Sequence, residues 1–131
     1  MTGLGRVARA AFVAGLLTGL LTASCLGIET ARAAGALAIG ACGAYGLSYD
    51  YGETGKAGAA ALGQCSGECK VAAAMQKTCA ALAIDGHNAC GAFGYAAAPR
   101  LGQAQNTALL YCYRNGGKDC VIRAWVCDGK G

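Results

Sequence analysis

The chain has 131 residues, of which 55% are hydrophobic, and it contains nine cysteines, one histidine and a net charge of +4. This length predicts one domain. The charge is too small to favour nucleic acid or an anionic membrane as a partner, and the cysteine content favours an oxidising compartment.

The N-terminal segment has the order of parts of a secretory signal peptide. Two arginines come first, an uncharged apolar run covers 10–28, and an Ala-x-Ala site ends at Ala33. We therefore predict a signal peptide over residues 1–33. A retained membrane anchor is the alternative, because this run is just long enough to span a bilayer. Lipidation at Cys25 is less favoured, since Thr occupies the position where lipoprotein signals usually carry Leu.

Cleavage after Ala33 would leave 98 of the 131 residues, with eight basic and six acidic side chains and a net charge of +2. The mature protein is then predicted to be secreted, periplasmic or in the cell envelope, and free of the membrane. Cleavage also removes Cys25, and an even set of cysteines in a small exported domain indicates disulfides. The eight that remain are Cys42, Cys65, Cys69, Cys79, Cys90, Cys112, Cys120 and Cys127.

The mature sequence contains two copies of one unit, at about 36–79 and about 81–127. Ala-Leu-Ala-Ile and Cys-Gly-Ala-aromatic-Gly occur in both, and Ala-x-x-x-Ala-Leu-x-x-Cys ends at Cys65 and again at Cys112. Units this short cannot each bury a core, so we expect them to share one. The prediction is a single domain over 34–131.

The first unit predicts two strands, a helix and a third strand. Residues 36–39 form a short apolar strand, and residues 44–51 alternate in polarity with their aromatic side chains on one face. A helix is predicted from Thr54, a candidate N-cap, to about Gln64. Its small residues recur one turn apart, which lets the helix lie close to a sheet. The last strand begins at Cys69.

The second unit repeats this order. Phe93 and Tyr95 mark its alternating strand, and its helix is predicted over about Pro99 to Tyr113, because proline suits a first helical turn. Its last strand begins at Cys120.

The two last strands predict the core. When they are aligned, six apolar residues fall on one shared strand face; they are Val71, Ala73, Met75, Ile122, Ala124 and Val126. The predicted fold class is α+β: two tandem β-β-α-β units that share one core, antiparallel sheet with two helices, stabilised by disulfides.

The disulfide pairing is only partly predictable. In both units a helix end lies close in sequence to the start of the next strand, which favours Cys65–Cys69 and Cys112–Cys120. Four cysteines remain, with two symmetric pairings: Cys42–Cys90 with Cys79–Cys127, or Cys42–Cys79 with Cys90–Cys127. We prefer the first, which joins equivalent positions of the two units, but the second is equally symmetric.

Four segments in combination are typical of one family of exported bacterial proteins: 35–39, 61–71, 79–83 and 108–127. On these segments the mature chain resembles the family catalogued as domain of unknown function 4189. The resemblance implies export and disulfides but no reaction, because no activity is established for the family. It adds a reason to pair Cys42 with Cys90, which look like additions to the family's more usual six cysteines.

Catalytic, metal and cofactor sites are not predicted. His87 is the only histidine and lies in an Asp-Gly-His-Asn turn sequence. The cysteine spacings differ between the units, unlike the repeated pairs of structural zinc sites. The carboxylates are interpreted as scattered, solvated loop charges; they include Asp50, Glu53, Asp85, Asp119 and Asp128.

One surface is a candidate for binding a partner: Tyr49, Tyr51, Arg123 and Trp125. Tyr, Trp and Arg are the usual anchors of protein interfaces, and the first unit has alanines where Arg123 and Trp125 stand on the last strand. Ordinary packing at the edge of the core is the other interpretation. Arg123 and Trp125 are expected to share the non-core face of that strand.

The function predicted from these features is that of a non-enzymatic exported protein. It binds an unknown protein or envelope component, in a role of the effector, inhibitor or immunity type. A small envelope-acting hydrolase and a structural envelope component are the alternatives. The sequence does not define the oligomeric state.

Overall fold

The computed structural model describes residues 33–128. Residues 1–32, which hold most of the predicted signal peptide and Cys25, lie outside this range. The elements are β1 (Ala34–Gly40), a 3-10 turn (Ala41–Gly43), β2 (Tyr45–Tyr51), α1 (Thr54–Gln64), β3 (Cys69–Gln76), β4 (Cys79–Asp85), β5 (Phe93–Ala98), α2 (Leu101–Arg114) and β6 (Cys120–Cys127). Neither helix is long and apolar enough to cross a membrane.

Each unit forms its own three-stranded antiparallel sheet, with strand orders β2-β1-β3 and β5-β4-β6. The central strands β1 and β4 carry the repeated Ala-Leu-Ala-Ile segments and are almost wholly buried. The sequence of a strand that is covered on both faces is continuously apolar and does not alternate between apolar and polar residues. The predicted α+β class with two β-β-α-β units is confirmed.

The two sheets pack face to face, and one helix covers the outer face of each sheet. The layer between the sheets holds the larger apolar side chains of both units, including Leu37, Met75, Leu82, Ile84 and Val126. The layers beneath α1 and α2 are built mainly from alanines and cysteines. The core that the two units share is therefore the layer between the sheets, because the side chains there are larger and each buries more apolar area.

The helices lie unusually close to the sheets at two equivalent glycines. A Cβ atom added to Gly46 would fall on the backbone of α1 at the carbonyl of Ala61. One added to Gly94 would fall on the backbone of α2 at Ala108 and Cys112. Glycine at these two positions permits the close approach that the small-residue stripes on the helices predict.

A β-bulge in each sheet changes the predicted core face. The pairing register shifts between Leu37 and Ala38 and between Leu82 and Ala83. Because an extra residue inverts the alternation of side chains, Ile122 packs on the α2 side whereas Ala124 and Val126 face the other sheet. The prediction that all six residues share one face is wrong for Ile122 and for its equivalent Val71, which is exposed.

The helix boundaries differ from the prediction at their starts. Helix α1 spans the predicted residues, but Thr54 is its first residue and Glu53 occupies the N-cap without a side-chain cap. Helix α2 begins at Leu101, so Pro99 lies outside it. The reason is that Arg100 has an extended backbone, with φ −120° and ψ 142°, which places the N-cap there.

Four disulfides connect the eight cysteines within residues 33–128: Cys42–Cys90, Cys65–Cys69, Cys79–Cys127 and Cys112–Cys120. These are the pairs that the sequence analysis prefers. Cys79, which the repeat comparison places at the end of the first unit, begins the first strand of the second sheet and lies directly opposite Cys127. Cys42–Cys90 is consequently the disulfide that joins the two units.

One carboxylate is buried at the junction of the units. Asp128 is 2% exposed and accepts hydrogen bonds from the backbone N–H of Lys77 at 2.8 Å and of Thr78 at 2.6 Å. Its own N–H donates to the carbonyl of Thr78 at 3.1 Å. The interpretation of Asp128 as a solvated loop charge is therefore wrong: the carboxylate fastens the β3–β4 turn to the end of β6.

Candidate functional site

Two of the four predicted partner-binding residues line one groove. Strands β2 and β6 are outer strands of their sheets and lie opposite each other across the sandwich. Between them is an open cavity of about 270 Å³, which we call the β2–β6 groove, lined by Leu47, Tyr49, Trp125, Val126 and Cys127. Tyr49 is 62% exposed and Trp125 is 52% exposed. The groove is apolar and open to solvent.

Tyr49 and Trp125 are exposed for different reasons. Tyr49 continues the alternation of Tyr45 and Leu47, both of which pack against the inter-sheet core, but it lies near the strand end, where the core no longer covers it. Trp125 alternates with Ala124 and Val126, whose side chains face that core. Trp125 therefore projects from the other face of an edge strand.

Arg123 is positioned by the bulge in β6. Ile122 pairs with Ala83 and Ala124 with Leu82, which leaves Arg123 as the extra residue. Its guanidinium lies over the ring of Tyr45, 5.4 Å from the centroid, and its Nε donates to the carbonyl of Gly43 at 3.4 Å.

The bulge therefore separates the predicted patch. Arg123 reaches across to the first sheet, so the prediction that it shares a face with Trp125 is wrong. It lies beside the groove, where it packs on Tyr45. Tyr51 ends β2, two residues beyond Tyr49, and is half-exposed outside the groove lining.

A second group of exposed aromatic residues lies on the other unit. The rings of Phe93 and Tyr95 stack with centroids 6.5 Å apart. They line an open cavity of about 260 Å³ together with Tyr111 and Asn115, whose side-chain amide donates to the carbonyl of Phe93 at 2.7 Å. Sequence reasoning missed Tyr111. The available signal was an aromatic side chain on the solvent side of an amphipathic helix.

His87 belongs to an exposed cluster on a turn. Its Nε2 lies 3.2 Å from the Asp119 carboxylate, and these side chains are 82% and 57% exposed. The Asp85 carboxylate accepts a hydrogen bond from the backbone N–H of His87 at 3.0 Å and another from the backbone N–H of Lys118 at 3.2 Å. These bonds hold the pKa of Asp85 below its ordinary value.

This turn joins carboxylates that were predicted to be scattered, since Asp85 and Asp119 both contact His87. The side chains of His87 and Asp119 are both largely exposed to solvent. Among residues 33–128, no group of three or more His, Cys, Asp or Glu side chains is placed to hold a metal ion.

Asp85 gives a pH-dependent prediction. Because its pKa is lowered on folding, its contribution to stability is present above the pKa of the unfolded chain and is lost as the pH falls through the folded-state pKa. We expect Asp85→Asn to lower the urea midpoint at about pH 7, and this difference from wild type to shrink at about pH 2.5. An equal difference at both pH values would contradict the assignment. Asp50→Asn, at an exposed position, serves as the control.

The geometry defines a class of protein: a disulfide-stabilised α+β sandwich of two β-β-α-β units with an apolar groove at one sandwich edge. A family model for a domain of unknown function, DUF4189, matches residues 34–127. The chain belongs to this family. No curated protein and no solved structure matches it significantly.

Proposed function

We propose that the protein is a non-enzymatic binding module of the cell envelope or the extracellular space, and that the β2–β6 groove binds an extended segment of another protein. The observation that carries the proposal is that Tyr49 and Trp125, each more than half exposed, both contribute to the lining of one apolar groove. Buried tyrosine and tryptophan contribute most of the energy of many interfaces. Here both are exposed and therefore available to be buried by a partner.

The strands that flank the groove favour an extended occupant. Both β2 and β6 have a neighbour on one side only within the described sheets, so their outer edges present backbone donors and acceptors. A peptide added to such an edge gains main-chain hydrogen bonds, while side-chain pockets select its sequence. The apolar groove supplies a pocket of this kind.

The charge beside the groove refines the chemistry of the segment. Arg123 lies beside the groove, over the ring of Tyr45, which precedes the groove residue Leu47 by two positions on β2. A complementary segment therefore has an apolar centre and an acidic residue towards Arg123. The exposed His87–Asp119 pair, by contrast, offers little support to the hydrolase alternative.

A single tryptophan makes the proposal directly testable, because Trp125 is the only one in the chain. Peptides selected from a phage-displayed random library are titrated into the mature protein while its tryptophan emission is recorded. We expect a blue shift on binding, since the indole leaves water. Hydrogen exchange is expected to slow along the edge of β2 or β6.

Variants locate the binding energy of the selected peptides. By calorimetry we expect Tyr49→Ala and Trp125→Ala each to weaken binding by roughly tenfold or more. Tyr113→Ala, at an exposed position on α2, is the matched control and should leave the affinity unchanged. Selected peptides that bind both groove variants as tightly as wild type, or that leave the emission of Trp125 unaltered, would refute the proposal.

A further inference from the structure

The four disulfides differ in their accessibility to a reagent in solution. Cys42 and Cys90 are both exposed. Cys79 and Cys112 are fully buried, each in one of two other disulfides, and Cys65 and its partner are half-buried. Thiol–disulfide exchange requires a thiolate to reach one sulfur of the disulfide. Exposure therefore makes Cys42–Cys90 the pair most open to attack.

This disulfide also has a distinct place in the fold. Cys42 lies in the 3-10 turn between β1 and β2, and Cys90 lies in the loop between β4 and β5. It links the two units, whereas each of the other three disulfides lies within one unit. Its reduction would leave every disulfide within the units intact.

Besides the disulfide, the two loops are held by hydrogen bonds within each loop and by one bond between the units, from Nε of Arg123 to the carbonyl of Gly43 at 3.4 Å. Gly40 N–H donates to the carbonyl of Ala44 at 2.8 Å, and Gly91 N–H donates to that of Asn88 at 2.9 Å. Cys42 has φ 56°, a left-handed conformation that is unfavourable for a residue with a side chain. Opening of the sulfur–sulfur bond would allow the first loop to leave this conformation.

An apolar cavity lies beside the disulfide. Its volume is about 150 Å³, and its walls include Ile39 and Leu82 from facing sheets, as well as both cysteines. This end of the inter-sheet layer is less completely filled than the centre. Separation of the two loops would open the cavity to solvent without disturbing the buried layers beneath the helices.

We propose that Cys42–Cys90 is a thiol–disulfide exchange site for a dithiol reductant, and that it acts as a redox-controlled closure of this end of the sandwich. A thiolate of the reductant attacks Sγ of Cys42 or Cys90. The Cys42–Cys90 bond breaks, a mixed disulfide forms, and the released thiolate takes a proton from water. The second thiol of the reductant then attacks the mixed disulfide. The dithiol is thereby oxidised to a disulfide, and Cys42 and Cys90 become two thiols.

The chain provides a matched comparison for the test. Cys42–Cys90 and Cys79–Cys127 both span 48 residues. In the chain-entropy model the two disulfides therefore constrain the unfolded chain equally. A difference in their reduction reflects the folded state, where one pair is exposed and the other includes a buried cysteine.

The mature, fully oxidised protein is treated with graded dithiothreitol, trapped with N-ethylmaleimide and mapped by peptide mass spectrometry. We expect the rate of reduction and alkylation to be at least roughly tenfold higher for Cys42 and Cys90 than for Cys79 and Cys127. Prior reduction of any other pair, or simultaneous reduction of all four, would overturn the proposal.

Hydrogen exchange on the selectively reduced protein tests the closure itself. We expect faster exchange in residues 41–44 and 86–92, with protection retained in β1, β4 and both helices. The Cys42→Ser/Cys90→Ser variant should show the same pattern, independently of any reagent. Unchanged exchange in these loops would refute the closure, and so would loss of protection throughout the domain, because the disulfide would then support the whole fold.

A Cys-x-x-Cys oxidoreductase whose resolving cysteine is replaced by serine identifies the kind of dithiol. A trapped mixed disulfide at Cys42 or Cys90 would support a protein reductant. Reaction with dithiothreitol alone would restrict the site to small dithiols.

Discussion

Gly94→Ala is expected to destabilise the protein by about 3 kcal/mol or more, although alanine is intrinsically better than glycine in a strand. The added methyl group would occupy the space of the α2 backbone at Ala108 and Cys112. Helix α2 cannot easily move away, because Cys112 is bonded to Cys120 at the start of β6, in the same sheet. The change therefore forces either the strand or the helix out of place.

The equivalent change in the first unit, Gly46→Ala, should have a similar effect, since its methyl group would meet the carbonyl of Ala61. Gly102→Ala is the matched control, because a Cβ at this position in α2 meets no neighbouring atom. It should stabilise the protein by about 0.5–1 kcal/mol through helix propensity.

Urea unfolding monitored by circular dichroism, with the disulfides intact, measures all three variants. The predicted signs are opposite, so the comparison does not depend on an absolute scale. A loss smaller than about 1 kcal/mol in Gly94→Ala would contradict the close packing of α2 on β5.

These glycines illustrate what sequence reasoning predicts well. The stripe of Ala57 and Ala61 predicted a helix close to a sheet, and the alternation of Tyr45–Tyr51 predicted β2, because both periods are local properties of the chain. The same methods could not locate the bulges. One extra residue in a strand leaves no mark in composition, yet it reverses the face of Ile122 relative to Ala124.

The groove and the buried carboxylate depend on contacts between units, which local patterns do not encode. Residue type and divergence between the copies indicate Tyr49 and Trp125, while their place in one groove lining follows from the packing of β2 opposite β6. The same two criteria indicate Arg123, but its guanidinium packs on the ring of Tyr45 and is not part of the groove lining. Asp128 is indistinguishable in sequence from a solvated aspartate until the β3–β4 turn is placed beside it.

Substitution of Asp128 is also expected to lower the free energy of unfolding substantially. Asp128→Ala leaves the N–H groups of Lys77 and Thr78 without their acceptor in a partly buried site. Hydrogen bonds to a charged group are worth about 1.5–3 kcal/mol each, and unpaired buried donors add a desolvation cost. We expect a loss of about 3 kcal/mol in the free energy of unfolding.

The local effect of the substitution is more specific than the global one. Lys77 has φ 57°, an unfavourable conformation for a residue with a side chain. The bond from its N–H to Asp128 helps to hold it there. In Asp128→Ala we therefore expect the amides of Lys77 and Thr78 to exchange faster at denaturant concentrations where the sheets remain protected.

Asp50→Asn separates this effect from the loss of any negative charge. Asp50 is exposed and has φ 59°, a conformation that asparagine tolerates, so its stability should stay within about 0.5 kcal/mol of wild type. If Asp128→Ala behaves like Asp50→Asn, the carboxylate is not a structural fastening. If instead it loosens the β3–β4 turn alone, then the conformation of this turn, through which the chain passes from the first unit to the second, depends on a single side chain that follows the last strand.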